Sequence, residues 1–331
     1  AEEVIREYGY DHIVPTFLKD SAVTNGGLNP AQKRRTKLKQ VMVSQGYFEV
    51  STLAFYSDTD LDALHIAEDA KERNVIRLLN PITTNLSIMR TTLAPSMLNT
   101  VVENVKKGNT AGRFFEYANV YYPKALPLTE LPDERTMFTL GMYGNGDFFD
   151  MKGVCEEFFE KIGMKKKMEY DPASGKPFLH PGRQADMVYE GTVVGYLGEV
   201  HPLVADNYGI GERAYIAMID IKSVLEFANF DRKFTGIAKY PAVTRDISML
   251  VPKQVLAGQI EDILAQRGGK ILESYQLFDI YEGSQIKGGY KSMAYALVFR
   301  DHDKTLEESE ISAAMKKILN GLEGLGIELR S

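Results

Sequence analysis

The feature that most constrains this chain is the order of hydrophobic periods in roughly its last ninety residues. Ile247, Met249 and Val251 alternate with polar neighbours, the period of a strand buried on one side. Gln254 to Arg267 then places Val255, Ile260, Ile263 and Leu264 on one helical stripe. Glu273 to Tyr281 turns at Glu282-Gly283-Ser284 into a second alternating run, Ser292 to Arg300, and Glu307 to Leu322 predicts another helix. Gly324 closes that helix ahead of a short strand at Ile327 to Leu329. The resulting order, β-α-β-β-α-β, is a split βαβ of the ferredoxin-like kind.

Composition limits what else the chain can be. With 331 residues, 44% of them hydrophobic, it can bury a substantial core, and at about 150 residues per domain it should hold about two. A single cysteine, Cys155, leaves no intramolecular disulfide, and no export signal precedes the first strand, so a cytoplasmic protein is expected. Neither a membrane nor DNA is expected as a partner. A formal net charge of -6 argues against attachment to nucleic acid through a bulk charge field. Any RNA contact must rest on a few placed groups and on stacking.

The upstream part reads as an antiparallel sheet flanked by helices, an α+β domain. Residues 1–20 look like the trailing helix and exit strand of a preceding module, and Ala1 inside AEEVIREYG implies a fragment of a longer polypeptide. Ser21 to Gly27 suits a linker. Asn29-Pro30 supplies a cap and an N1 proline for a helix over Ala31 to Gln45, which carries a basic face, KRRTKLK. Tyr47 to Phe55 reads as a strand, Pro95 to Lys106 as a helix, Gly112 to Tyr121 and Arg135 to Tyr143 as strands, and Lys152 to Ile162 as a helix. A hairpin is expected from Gln184 to Glu199 through Gly191-Thr192, then a strand at Ala214 to Ile221. The expected units are 1–20, 21–235 and 236–331.

KYPAVTRDISMLVP at Lys239 to Pro252, LESYQLFDIYEG at Leu272 to Gly283 and the doublet Lys291-Ser292 resemble the ferredoxin-fold anticodon-binding domain that closes bacterial phenylalanyl-tRNA synthetase β subunits. The resemblance continues through YGYDHI at Tyr8, NPI at Asn80, SIMRTTLAP at Ser87, RFFEYANVY at Arg113, HPGR at His180 and GEVHP at Gly198, and so covers essentially the whole chain. It implies a class II synthetase-like core without catalytic activity, followed by the ferredoxin-like βαββαβ domain. The partners it implies are a catalytic α subunit, in an (αβ)2 assembly that binds ATP and adenylates phenylalanine, and tRNA(Phe). The helix from Ala31 resembles class II motif 1, which packs at subunit interfaces.

Carried over residue by residue, the resemblance places Tyr281 as the ring stacking on the first anticodon base, with Ser248, Ser292 and Arg330 as further anticodon contacts. Tyr281 also suits stacking by its own position, at the end of a strand just before a turn. The family pattern carries alanine at the position of Ser248, so a backbone contact is the expectation there. Glu2 and Glu3 fall on a pair assigned to a Mg2+ shared with the α subunit, together with aspartates that would precede Ala1. Adjacent helical carboxylates are ordinarily a solvated face, and without those aspartates the site is expected to be incomplete and empty.

A working class II site needs an arginine clamp on the ATP α-phosphate and a glycine-rich strand ending in an arginine. Arg113-Phe114-Phe115-Glu116 echoes the first, whereas Gly209-Ile210-Gly211-Glu212-Arg213 reads as a turn, so a catalytically silent core is expected. His180 and His201, with Glu199 beside the latter, fall short of a zinc set and read as loop-fixing residues. Arg183 is expected to bond carbonyls, with a tRNA or α-subunit contact as the alternative. Lys165-Lys166-Lys167 and Lys33-Arg34-Arg35 read as solvated helix faces. Two rival readings are a single-chain organellar-type synthetase, which would exchange ATP and pyrophosphate alone, and a free-standing RNA-binding or assembly protein, which would ignore the α subunit.

Overall fold

The computed structural model describes residues 1–17, 19, 26–231, 233–234 and 236–330. Ser21 to Asn25, most of the expected linker, and the boundary expected at residue 20 lie outside the described residues. Helix α1 (Glu2–Tyr8) is followed by a single 3-10 turn at Tyr10–His12. The exit strand expected after it does not form within Ile13 to Phe17, where no described strand accepts its backbone groups. Val14 and Phe17 there are 78% and 98% exposed.

Helix α2 (Pro30–Ser44) starts at a reciprocal capping box: the Asn29 side chain accepts from the Gln32 N–H, and the Gln32 side chain accepts from the Asn29 N–H, both at 2.9 Å. Its stripe Leu38, Val41 and Met42 is buried. The strand expected over Tyr47 to Phe55 is instead two fragments, β1 (Phe48–Glu49) and β2 (Phe55–Tyr56). Between them the Thr52 N–H and hydroxyl turn to the Glu116 carboxylate instead of a neighbouring strand, and this interrupts the ladder. Short α3 (Asp58–Ala63) and β3 (Ile88–Met89), which pairs with β2, lead into α4 (Ala94–Lys106).

The core sheet follows: β4 (Gly112–Tyr122), β5 (Asp133–Tyr143), α5 (Phe148–Lys161), β6 (Glu169–Asp171), β7 (Leu179–Tyr189), β8 (Thr192–Val200), α6 (Pro202–Tyr208), β9 (Ala214–Asp220) and α7 (Ile221–Phe227). Its seven strands run β1-β4-β5-β9-β8-β7-β6, antiparallel except for β1 beside β4. The β7–β8 hairpin turns on Glu190 and Gly191, both at positive φ, one residue earlier than expected. Both faces of the sheet are packed. Phe115, Phe138, Met142 and Ala217 meet α2, α5 and α7 on one side, and Phe114, Tyr143 and Ile216 meet α4 and α6 on the other.

The C-terminal unit comprises β10 (Val243–Pro252), α8 (Ala257–Gly268), β11 (Leu272–Tyr281), β12 (Tyr290–Phe299), α9 (Glu308–Glu323) and β13 (Glu328–Leu329). This is the expected β-α-β-β-α-β order, with sheet order β11-β12-β10-β13. Helix α8 begins three residues later than its stripe suggests, at a box between the Leu256 N–H and the Gln259 side chain. Ile260, Leu264, Ile311, Ile318 and Leu322 cover one face of the sheet, over Ile247, Met249, Tyr295 and Leu297. Among the described residues the other face carries no helix. Among the described residues no helix is long and apolar enough to cross a membrane.

Candidate nucleic-acid interface

The register of the C-terminal sheet settles where each candidate side chain lies. Tyr281 of β11 is the partner of Ser292 of β12, and Ser292 is the partner of Leu250 of β10. One row along, Asp279 pairs with Ala294 and Ala294 with Ser248, whose carbonyl accepts from the Arg330 N–H at 2.9 Å. Directly paired residues share a face. The helix-covered face is set by Met249, Met293 and Tyr295, so Tyr281, Ser292, Ser248 and Arg330 share the bare one. The first three come from different strands and Arg330 directly follows β13, and its Nη1 reaches the Ser292 hydroxyl at 3.2 Å.

A β-bulge sets the phase of β11. The pairing skips Phe278, between Leu277 opposite Tyr295 and Asp279 opposite Ala294. Without that extra residue the alternation would carry Tyr281 to the side of Tyr275 and Leu277, against the helices. Tyr281 is 41% exposed, and its ring folds over the turn: a Cβ on Gly283 would stand 2.1 Å from the phenol oxygen. Ser292, by contrast, is buried. A ring, a buried hydroxyl, a guanidinium and small side chains on a flat surface can stack a base and bond its edge.

Charges around this face nearly cancel. Lys253 bonds Glu282 at 2.7 Å and holds that carboxyl below the usual range, and Lys287 stands 3.8 Å from Glu328 with its ammonium over the Tyr290 ring. Asp279, which sequence reasoning did not single out, adds an exposed carboxylate beside Tyr281. The surface is therefore suited to placed contacts rather than to a charge field.

The other candidates occupy structural positions. Glu116 is buried and receives the Thr52 N–H at 2.8 Å, while Arg90 Nη1 lies 3.7 Å from it and bonds the Thr52 hydroxyl and the Leu53 carbonyl. Burial pushes the Arg90 guanidinium below its ordinary value, with Glu116 opposing that shift. Arg113 of the same strand, β4, takes no part in this network. Gly209 caps α6 in the left-handed region, so the string through Arg213 is a turn, as expected. The histidines do not fix loops as expected: His180 Nδ1 accepts from the Gly182 N–H inside β7, where the pairing with β8 is interrupted between Leu179 and Gln184, and His201 Nδ1 accepts from the Leu203 N–H as the N-cap of α6. Arg183 departs from expectation: its guanidinium forks onto the buried Glu199 carboxylate at 2.6 and 2.9 Å rather than onto carbonyls. A carboxylate offers that fork two oxygens in one plane.

Of the two basic runs, Lys33-Arg34-Arg35 is exposed on α2 as expected of a solvated helix face, whereas the lysine run does not lie on a helix. Lys165 to Lys167 form a loop after α5, where Lys166 pairs with Glu190 and Lys167 crosses to the C-terminal unit. On α2, Arg35 lies over the Tyr117 ring and Lys37 over Phe230. Glu2 and Glu3 stand exposed in the first turn of α1. Among the described residues no three His, Cys, Asp or Glu side chains gather as a metal ion would require, so this pair alone does not fit Mg2+.

Comparison with known proteins bears on these surfaces together. Residues 14–221 match the family described as phenylalanyl tRNA synthetase beta chain CLM domain, and residues 238–330 match the ferredoxin-fold anticodon binding domain. The phenylalanine--tRNA ligase beta subunit of Clostridium acetobutylicum is 40% identical over 331 residues, covering 100% of this chain and 41% of that protein. Its counterpart in Clostridium tetani is 37% identical, over 100% of this chain and 42% of that protein. The chain thus spans about two fifths of the length of these curated relatives. A solved pyrrolysyl-tRNA synthetase from Desulfitobacterium hafniense superposes with a TM-score of 0.48 at 16% identity, covering 58% of this chain and 67% of that one.

Proposed function

This chain belongs to the phenylalanyl-tRNA synthetase β-chain family, and from that premise we propose that it is the non-catalytic part of a phenylalanine-tRNA ligase that scaffolds the catalytic subunit and contacts the tRNA anticodon. In this reading residues 21–235 are the scaffold and 236–331 the anticodon-binding unit, and the protein works in the cytoplasm within an (αβ)2 assembly. ATP and Mg2+ serve the adenylation of phenylalanine on the α subunit. Glu2 and Glu3 would contribute to a Mg2+ site only with further ligands from outside this chain. No step of the chemistry is assigned to its residues.

The observation that carries the reading is the convergence of Tyr281, Ser292 and Ser248, from three strands, and Arg330, which directly follows a fourth, on the sheet face that carries no helix among the described residues. Tyr281 offers the stacking platform, Ser292 and Arg330 offer edge contacts, and Ser248 presents its backbone beside Ala294. A silent core is supported by the sheet's packed faces and by the internal pairing of Glu116 with Thr52 and Arg90.

The test is sedimentation of the full-length protein with the catalytic subunit and tRNA(Phe), with phenylalanine-dependent ATP–pyrophosphate exchange followed in parallel. A stoichiometric complex, and exchange only when the α subunit is present, is the expected result. Exchange by this protein alone would instead identify a single-chain synthetase. RNA binding indifferent to the α subunit would identify a free-standing RNA-binding protein.

A further inference from the structure

Between the scaffold and the C-terminal unit lies a cleft of about 1190 Å³, lined by Phe149, Tyr170, Leu256 and Tyr275 among others. Among the described residues, the hydrogen bonds and ion pairs drawn across it converge on one side chain. Lys167 Nζ stands 3.0 Å from Glu261 Oε2, 3.1 Å from Asp262 Oδ1 and 3.2 Å from the Gly258 carbonyl, all on α8. Among the described residues no helix or strand of either unit packs broadly on one of the other, and their hydrophobic cores are separate clusters.

We propose that Lys167 is a positioning residue for tRNA: it sets the angle at which the anticodon-binding unit is held on the scaffold. The proposal rests on the anticodon reading above. Helix α8 packs on the covered face of the sheet whose other face carries Tyr281 and Arg330. Fixing the first turns of α8 therefore aims that bare face. Three acceptors around one ammonium define a direction that a single exposed pair would not. Burial works against the Lys167 charge, but the bonds and charges of Glu261 and Asp262 outweigh it, so the ammonium is held above its ordinary value and stays charged. An ammonium on a long stem holds such a joint while letting it flex.

The test uses the assembled enzyme carrying spin labels at Lys107→Cys and Lys317→Cys, two exposed positions on the two units. Lys167→Glu, Lys167→Arg and Tyr281→Ala are compared by interlabel distance, KM for tRNA, kcat and ATP–pyrophosphate exchange. Lys167→Glu, which sets a carboxylate against Glu261 and Asp262, should broaden the distance distribution and raise KM for tRNA by about threefold or more, the scale of losing a partly exposed ion pair. Amino-acid activation and kcat should not move, and Lys167→Arg should behave as wild type. An unchanged distance distribution overturns the proposal, as does an equal loss of exchange and kcat, which would mark a folding role. A broadened distribution with unchanged KM, while Tyr281→Ala raises KM, overturns it and leaves the anticodon reading standing. If neither Tyr281→Ala nor Lys167→Glu changes KM, the anticodon reading itself fails, and the proposal with it.

Discussion

Arg330, the residue after β13, donates from Nη1 to the hydroxyl of Ser292 on β12 at 3.2 Å, across the β10 strand that lies between β12 and β13. The bond ties the C-terminal end of the chain to the middle of the bare sheet face and orients the guanidinium over it. Ser292 is 3% exposed, so its hydroxyl has little water to compete for that donor.

Replacing Ser292 by alanine should therefore free Arg330 while leaving the hydrophobic core under the sheet intact. The expected cost to folding is about 0.5–1.5 kcal/mol, the net worth of one such bond. Affinity for tRNA should fall as well, because the guanidinium loses its fixed direction. Urea unfolding of the protein and filter binding by the assembled enzyme check the two effects separately.

Tyr281→Ala should lose about 1–3 kcal/mol of tRNA binding, the range for one base stacked on an aromatic ring. Tyr281→Phe should keep most of the affinity, since the platform is the ring and the phenol oxygen rests over Gly283. Equal losses for both variants would assign the effect to the hydroxyl instead. Filter binding with the assembled enzyme decides between them.

Much of this arrangement is legible in the sequence, and the illegible parts share a physical cause. Local periods predict β4, β5, α4, α9 and the β-α-β-β-α-β order, because alternation and helical stripes are read within one segment. The bulge at Phe278 is not marked by composition, yet it decides which face receives Tyr281. Helix α7, only seven residues long, offers less than a full window of stripe. Arg90 with Glu116 and Lys167 with Glu261 join residues far apart in the chain, and charge alone does not say which partner a lysine or arginine meets. Periodicity gives the ferredoxin-like arrangement, but it is the family resemblance that singles out Tyr281, Ser292, Ser248 and Arg330, whose convergence follows from strand order and register.

Glu116→Ala should be severe. It leaves the buried Arg90 guanidinium, 4% exposed, without its carboxylate and removes the acceptor of the Thr52 N–H. Breaking such a pair from one side costs about 3–5 kcal/mol. Double replacement of Arg90 and Glu116 by apolar residues of similar volume should cost less than Glu116→Ala alone, and urea unfolding of the three proteins measures the difference.

Acid sensitivity can be assigned at one surface pair. Arg77 bonds the Asp58 carboxylate at 2.7 and 2.9 Å and holds it below the ordinary carboxylate value. A carboxyl lowered by folding adds stability above its unfolded value, near 3.9, and loses it as pH falls through the folded one. Both side chains are well exposed, at 62% and 46%, so the contribution is at most about 1 kcal/mol. The difference between wild type and Arg77→Met should be present at pH 6, shrink below about pH 4 and weaken in high salt. Thermal unfolding across that pH range checks the direction.

Cys155 lies at 0% exposure on the buried face of α5, and burial raises its thiol well above the ordinary range. A thiol so enclosed reacts with an aromatic disulfide reagent only when the scaffold opens. As the chain's one cysteine it is absent from the C-terminal unit, so its modification rate becomes a clock for scaffold opening alone. Run with and without the catalytic subunit, that clock would report how much association slows the breathing of the seven-stranded sheet, with no label and no substitution.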